Sequence, residues 1–399
     1  MCEQNLARVK NRGRYNFWMK NSFFAGLSDS EFLRRHWQKK PLLARGALRE
    51  YAGAFSRDEL FDLAQRDDIE SRIVQRARGR WRVDHGPFTS RDFRRLPRTG
   101  WTLLVQGVEL ALSRAARLLR EFAFLPYARL DDVMVSYAVP GGGVGPHFDS
   151  YDVFLVQAAG ERRWRVSGEP DLTLVPDAPL KILRRFTPDR EWTVASGDVL
   201  YLPPRFAHDG VAVSQCITCS VGFRAPATQE LATRFLEFMQ DRLQLDGRYA
   251  DPGLSPTAQP ARIPTAMLHH AARALEKVRW SRGDIVEFLG RYLSEPKNHV
   301  VFERPARPLK APEFARRVTR HGATLAPATR MLFYGSRIFI NGEAALPGPD
   351  ARALLAKLAN ARELPPPLEL PDDAWQLLYG WYLAGYIAPG LTEGGLSND

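Results

Sequence analysis

Three side chains, two of them close in sequence and one distant, could do chemistry together. His147 and Asp149 stand two residues apart in the run PGGGVGPHFDSYDVFLVQAAGER, which covers residues 140–162. In an extended strand, positions i and i+2 share a face, so both can point into one cavity. His208 comes much later, in LPPRFAHDG, after the strand-like DVLYL at 198–202. Two imidazoles and one carboxylate make a facial triad. Such a triad holds one face of an octahedral Fe(II) and leaves the other open to co-substrate and dioxygen. A bare HxD pair is a weak signal, and a lone histidine is more often a structural one. The neighbouring Asp209 is a rival ligand, but His208 already takes the inward direction.

The elements around the triad strengthen it. A Gly-rich turn precedes His147 and a Pro-Pro turn precedes His208. After an apolar strand at 153–157 the chain turns at AAGE and enters RRWRV. There Arg162, Trp164 and Val166 alternate against Arg163 and Arg165, and the aromatic and β-branched members mark the first set as inward. An arginine on the inner face of a barrel requires a buried anion, and a dicarboxylate would meet it through a bidentate pair.

The segments HWQKKP at 36–41, HGPF at 85–88, SYAVPGGGVGPH at 136–147, YDVF at 151–154, RRWRV at 162–166 and SVGFRAP at 220–226 resemble the bacterial ribosomal oxygenases. These are JmjC-type 2-oxoglutarate oxygenases that hydroxylate arginine in large-subunit ribosomal protein uL16. The resemblance implies Fe(II) on His147, Asp149 and His208, with 2-oxoglutarate and dioxygen as co-substrates. It also implies that Arg162 and Ser136 hold 2-oxoglutarate, and that the β-carbon of an arginine is the target. An arginine guest needs a carboxylate and an aromatic face; Asp152 and Tyr151 are the nearby candidates. A related enzyme hydroxylating histidine in another ribosomal protein would share the triad. A metal-dependent cupin without 2-oxoglutarate would have no use for an inward Arg162. A vestigial, purely binding barrel would not need an intact triad.

The short strands and Gly/Pro turns between 131 and 224 suit a closed or double-sheet β barrel. The resemblance makes this a double-stranded β-helix (jelly roll, cupin-like), flanked by N-terminal helices. The expected organisation is a basic, disordered extension at 1–18, a catalytic domain at 19–225, a helical dimerisation domain at 226–302 and an α+β winged-helix-like domain at 303–399. Expected helices lie at 31–37, 57–64, 108–122, 229–245, 265–278, 283–293, 349–361 and 372–387. Hairpins are expected at 71–83 and, with a Gly-Ser turn, at 330–340. Apolar stripes on the later helices are expected to be core, and Trp375, Leu378, Tyr382 and Tyr386 to offer protein contacts.

Composition narrows the setting. Lys plus Arg number 56 against 45 Asp plus Glu, a net charge of +11. That suits an acidic or nucleic-acid-rich neighbourhood without indicating an RNA site. Three cysteines form no disulfide framework and point to a reducing cytoplasm. Cys216 and Cys219, three apart on a strand, should diverge. His85 is a weak candidate ligand, because a fourth protein ligand would close a position that catalysis needs.

Overall fold

The computed structural model describes residues 26–77, 79–297 and 299–390; the basic segment at 1–18 lies outside them. The chain divides into two compact units at Arg224/Ala225.

The first unit carries strands β1 (Leu42–Ala44), β2 (Ser71–Ala77), β3 (Arg80–His85), β4 (Trp101–Val105), β5 (Leu130–Ala138), β6 (Val153–Ala159), β7 (Arg162–Ser167), β8 (Arg190–Val194), β9 (Val199–Leu202), β10 (Ala207–Ala212) and β11 (Cys216–Phe223). Its helices are α1 (Asp29–Arg35), α2 (Arg57–Ala64), α3 (Ser90–Arg94) and α4 (Ser113–Arg120). A large sheet runs β1-β9-β6-β11-β5-β4-β2-β3, and a small one runs β10-β7-β8. All their described pairings are antiparallel.

Strand alternation assigns the two faces of the large sheet. Val133, Val135, Tyr137, Phe154, Val156, Cys219 and Val221 face outward onto Phe32, Leu60, Leu118 and Phe122 from the helical side. The alternate residues face inward, where Val153, Leu155, Leu200 and Leu202 meet Trp164, Val166 and Val194 of the small sheet. This is the double-sheet barrel expected from the sequence. Cys219 packs in the outer core and Cys216 in the interior, so the two thiols do diverge.

Capping boxes start α1 at Ser28 and α2 at Ser56, each with glutamate at the third helical position. The helix expected over 108–122 is broken. A 3-10 turn at Val108–Leu110 ends, Leu112 takes an extended conformation, and α4 follows. Ala115 and Leu118 are the fully buried residues of α4, and Leu119 is only partly buried.

The second unit holds α5 (Thr228–Gln240), α6 (Thr265–Leu275), α7 (Arg282–Ser294), α8 (Ala311–His321), α9 (Pro349–Ala361) and α10 (Asp372–Leu383). Its strands are β12 (Ala323–Leu325), β13 (Met331–Tyr334), β14 (Arg337–Ile340), β15 (Glu343–Ala345), β16 (Glu363–Leu364) and β17 (Ile387–Pro389). They form sheets β16-β12-β17 and β13-β14-β15. The hairpin register Tyr334↔Arg337 leaves Gly335-Ser336 as its two-residue turn. Helix α7 belongs with this hairpin: Gly290 admits the Phe339 ring, and Arg291 donates to the Gly342 carbonyl.

Two expectations need correction here. Leu378 and Tyr382 are buried against Phe314 and Leu355, so they are core rather than contact residues. The stripes on α5 to α7 are only partly core: Leu236, Met267, Leu268, Leu275 and Ile285 are exposed, as is Trp280 between α6 and α7, and α6 buries none of its residues. No helix among the described residues is long and apolar enough to cross a membrane.

Candidate active site

His147, Asp149 and His208 come together, each offering one ligand atom, with those atoms all within 4.8 Å of one another. The route differs from the strand expected over 147–149. His147 sits in an isolated bridge with His208, with N–H to carbonyl distances of 3.0 and 2.8 Å, while Asp149 lies in the loop before β6. The loop carbonyl of Asp149 accepts from the Arg205 N–H at 2.7 Å, which ties it to the turn leading into β10.

The imidazoles are set for ligation. Each Nδ1 lies 2.9 Å from a backbone carbonyl, Gly145 for His147 and Phe206 for His208. A carbonyl only accepts, so Nδ1–H donates and Nε2 is the nitrogen left to face a metal. His208 Nε2 is 3.7 Å from Asp149 Oδ2. Burial first, then the neighbouring His147, lower the His208 pKa to about 4 against the pull of Asp149. The ring is therefore neutral near pH 7, the form that binds metal. Asp209 points to the other face, where it pairs with Arg165, and His85 is exposed at the end of β3.

Arg162 is inward as its alternation predicts: it is 5 % exposed, and Arg163 beside it is open to solvent. Its Cζ lies 5.6 Å from the Trp164 ring centroid, and that ring is 5.8 Å from His208. Gly210 makes this stack fit, since a Cβ there would lie 2.5 Å from the indole. Nε and Nη2 of Arg162 are buried without a hydrogen-bond partner. A buried cation with free donors is costly unless an anion completes it. Val166 lies opposite His208, so Arg162 stands four residues deeper along β7, about 13 Å at ~3.3 Å per residue. A five-carbon dicarboxylate chelating the metal and an arginine side chain would span that depth between them.

Ser136 is buried on the inner face of β5, opposite Thr218, and its hydroxyl donates to the Thr218 carbonyl at 3.3 Å. Thr218 in turn donates to Gln157, giving a polar row across three strands. Tyr151 is half exposed, and burial together with Asp149 and Asp132 pushes its phenol pKa up. The Cα of Gly222 faces both Asp132 and Tyr151, within 4 Å of a Cβ placed there. Asp152 is committed to the fold. It is 0 % exposed and bonds the Tyr201 hydroxyl at 2.6 Å, Gln38 at 3.0 Å and Arg129 at 3.1 Å. Its position next to Tyr151 in sequence misled, because a strand start sends neighbours to opposite faces.

A barrel with this triad at its mouth and a buried arginine below it defines a JmjC-type oxygenase, and the JmjC domain family matches residues 117–231. The ROXA-like winged helix family matches residues 277–388. The chain is 36 % identical over 334 residues to the ribosomal protein uL16 3-hydroxylase of Escherichia coli, covering 83 % of this chain and 88 % of the relative. It is 41 % identical over 205 residues to a probable ribosomal oxygenase of Haemophilus influenzae, covering half of each. The solved structure of the Escherichia coli ribosomal oxygenase YcfD with cobalt and 2-oxoglutarate superposes with a TM-score of 0.76 at 32 % identity, over 91 % of this chain and 98 % of that one. The chain belongs to the JmjC-type ribosomal oxygenase family.

Proposed function

We propose that the protein is an Fe(II)- and 2-oxoglutarate-dependent hydroxylase that modifies the β-carbon of an arginine in large-subunit ribosomal protein uL16. The observation that carries the co-substrate is Arg162, a buried guanidinium with free donors on the same barrel face as the triad. A cupin using metal alone would have no reason to keep it. The similarity to a uL16 3-hydroxylase over most of both chains supports the substrate.

His147, Asp149 and His208 would hold the iron through the two imidazole Nε2 atoms and one carboxylate oxygen. Bound iron with 2-oxoglutarate and dioxygen supplies the oxidising chemistry. The net change is 2-oxoglutarate, O2 and a C–H bond to succinate, CO2 and C–OH. Arg162 fixes the distal carboxylate and Ser136 lines the wall beside it. Trp164 packs beside both Arg162 and His208, and its indole would keep water from that stretch of the barrel wall. The half-exposed Tyr151 ring and the Asp132 carboxylate beside it, which is 6 % exposed and already accepts from Gln106 at 2.6 Å, offer what an arginine guest needs. Asp132 thus takes the part that sequence proximity gave to Asp152.

We further infer a homodimer formed through the exposed apolar side chains of α5 to α7, and a cytoplasmic location where ribosomal proteins are met. We also infer a helical domain at 226–302 and a winged-helix-like domain at 303–399, with α7 packed on the 331–345 hairpin sheet. The test of the activity is succinate release. A uL16 fragment should stimulate it several-fold in wild type and not in Arg162→Ala; equal succinate release by both proteins would overturn the co-substrate reading.

A further inference from the structure

Below the triad, the barrel closes on a floor made by the far ends of three strands. The turn at 140–143 stitches them together. Gly141 N–H donates to the Ala212 carbonyl at 2.9 Å, and Ala212 N–H donates to the Gly142 carbonyl at 2.8 Å. Gly142 passes so close to β4 that a Cβ on it would lie 2.2 Å from the Trp101 carbonyl, and one on Gly143 would lie 2.6 Å from that of Gly210. Only glycines allow this approach. The ends of β4, β5 and β10 are consequently held against one another.

Register then states which side chains line the floor. Arg162 is opposite Ala212, Ala138 is opposite both Cys216 and Thr102, and paired residues of antiparallel strands share a face. Ala138, Ala212 and Cys216 pack together. All three are small, so none reaches far in front of Arg162. Thr102 joins this floor from β4, is 1 % exposed, and its hydroxyl is buried with no hydrogen-bond partner. Buried hydroxyls almost always have one.

Two unpartnered buried donor groups thus face one floor of small residues: the Arg162 guanidinium and the Thr102 hydroxyl. We propose that Thr102 is a second ligand of the distal carboxylate of 2-oxoglutarate, donating its Oγ1–H to one carboxylate oxygen while Arg162 grips the group. This rests on the co-substrate reading above and deepens it. Ala138, Ala212 and Cys216 set the depth at which that carboxylate comes to rest. No covalent step is involved; Thr102 positions the acid so that its other end chelates the metal.

The test is equilibrium binding under argon to protein loaded with Mn(II), measured by calorimetry with two probes. 2-Oxoglutarate carries the distal carboxylate, and oxalate chelates the metal without one. Thr102→Val keeps the shape and loses the donor. It should weaken 2-oxoglutarate about tenfold, as expected for one hydrogen bond to a charged acceptor. Oxalate binding should be unchanged, and Thr102→Ser should bind 2-oxoglutarate within about twofold of wild type by keeping that bond. Undiminished 2-oxoglutarate binding by Thr102→Val overturns the assignment, as does an equal loss for oxalate, which would report a distorted barrel. Arg162→Ala separates the two levels. If it too leaves 2-oxoglutarate binding intact, the co-substrate reading fails and this one with it; if it alone weakens binding, only the role of Thr102 falls.

Discussion

His208 and Arg162 show how differently two buried nitrogen groups serve one site. His208 is held neutral by burial and by His147, with its folded pKa lowered to about 4 from an ordinary value near 6.5. A depressed pKa means that the unfolded chain binds the proton first. The stability of the metal-free protein should therefore be full above about pH 6.5 and fall as the pH drops towards about 4. Thermal midpoints measured at pH 7 and pH 5 should fall more steeply for wild type than for His208→Ala; parallel slopes would contradict this. Gly210 acts through Trp164 instead. Gly210→Ala drives a methyl into the indole and should cost about 1–3 kcal/mol in urea unfolding, with weaker 2-oxoglutarate binding because Arg162 loses its stacking partner. Arg162 was legible in the sequence because alternation with Trp164 and Val166 fixed its face. Thr102 was not, since nothing in WTLLV distinguishes a floor hydroxyl from strand filler. Its meaning comes from a register with Ala138 and a missing partner, and both exist only in three dimensions.

At the scale of elements, the loop at 147–152 has to deliver ligand, mouth and anchor within six residues. Asp152 is the anchor. It ties the start of β6 to Tyr201 on β9, to Gln38 after α1 and to Arg129 before β5, and Arg129 lies over Trp37. Asp152→Ala should cost about 3 kcal/mol, the low end for a broken buried pair because Arg129 keeps some contact with solvent. Asp152→Asn should cost less by keeping the Tyr201 bond, and chemical denaturation of the two variants measures the difference. Most strands and helices were readable from their periodicity and caps: α2 and α9 begin and end where the pattern says. The strand expected at His147 and Asp149 was not formed, because the glycines before it pull the chain to the barrel floor and leave a single bridge to His208. The ligands converge all the same, since that bridge aligns His147 with β10.

Across the whole molecule, the sequence carried the class of fold and the composition of the site further than it carried the second half. The catalytic unit repeats short alternating strands around one core, a pattern with strong local signals. The later helices are amphipathic in a way that cannot tell an internal core from an intermolecular one, and the exposure of Leu268, Leu275 and Trp280 decides against the internal reading for that stretch. If those side chains form the dimer, sedimentation should report the mass of two chains for wild type and of one for the double variant Leu268→Asp with Leu275→Asp. An unchanged mass for the variant would place any dimer contact elsewhere.

The central claim is that this barrel places oxygen on an arginine of uL16. Its most direct test is tandem mass spectrometry of a uL16 fragment incubated with the Fe(II)-loaded protein and 2-oxoglutarate under 18O2. One labelled oxygen is expected on the β-carbon of one arginine, absent with His147→Ala and with Arg162→Ala. Succinate formed without label on the fragment, or label on a residue other than arginine, would contradict it.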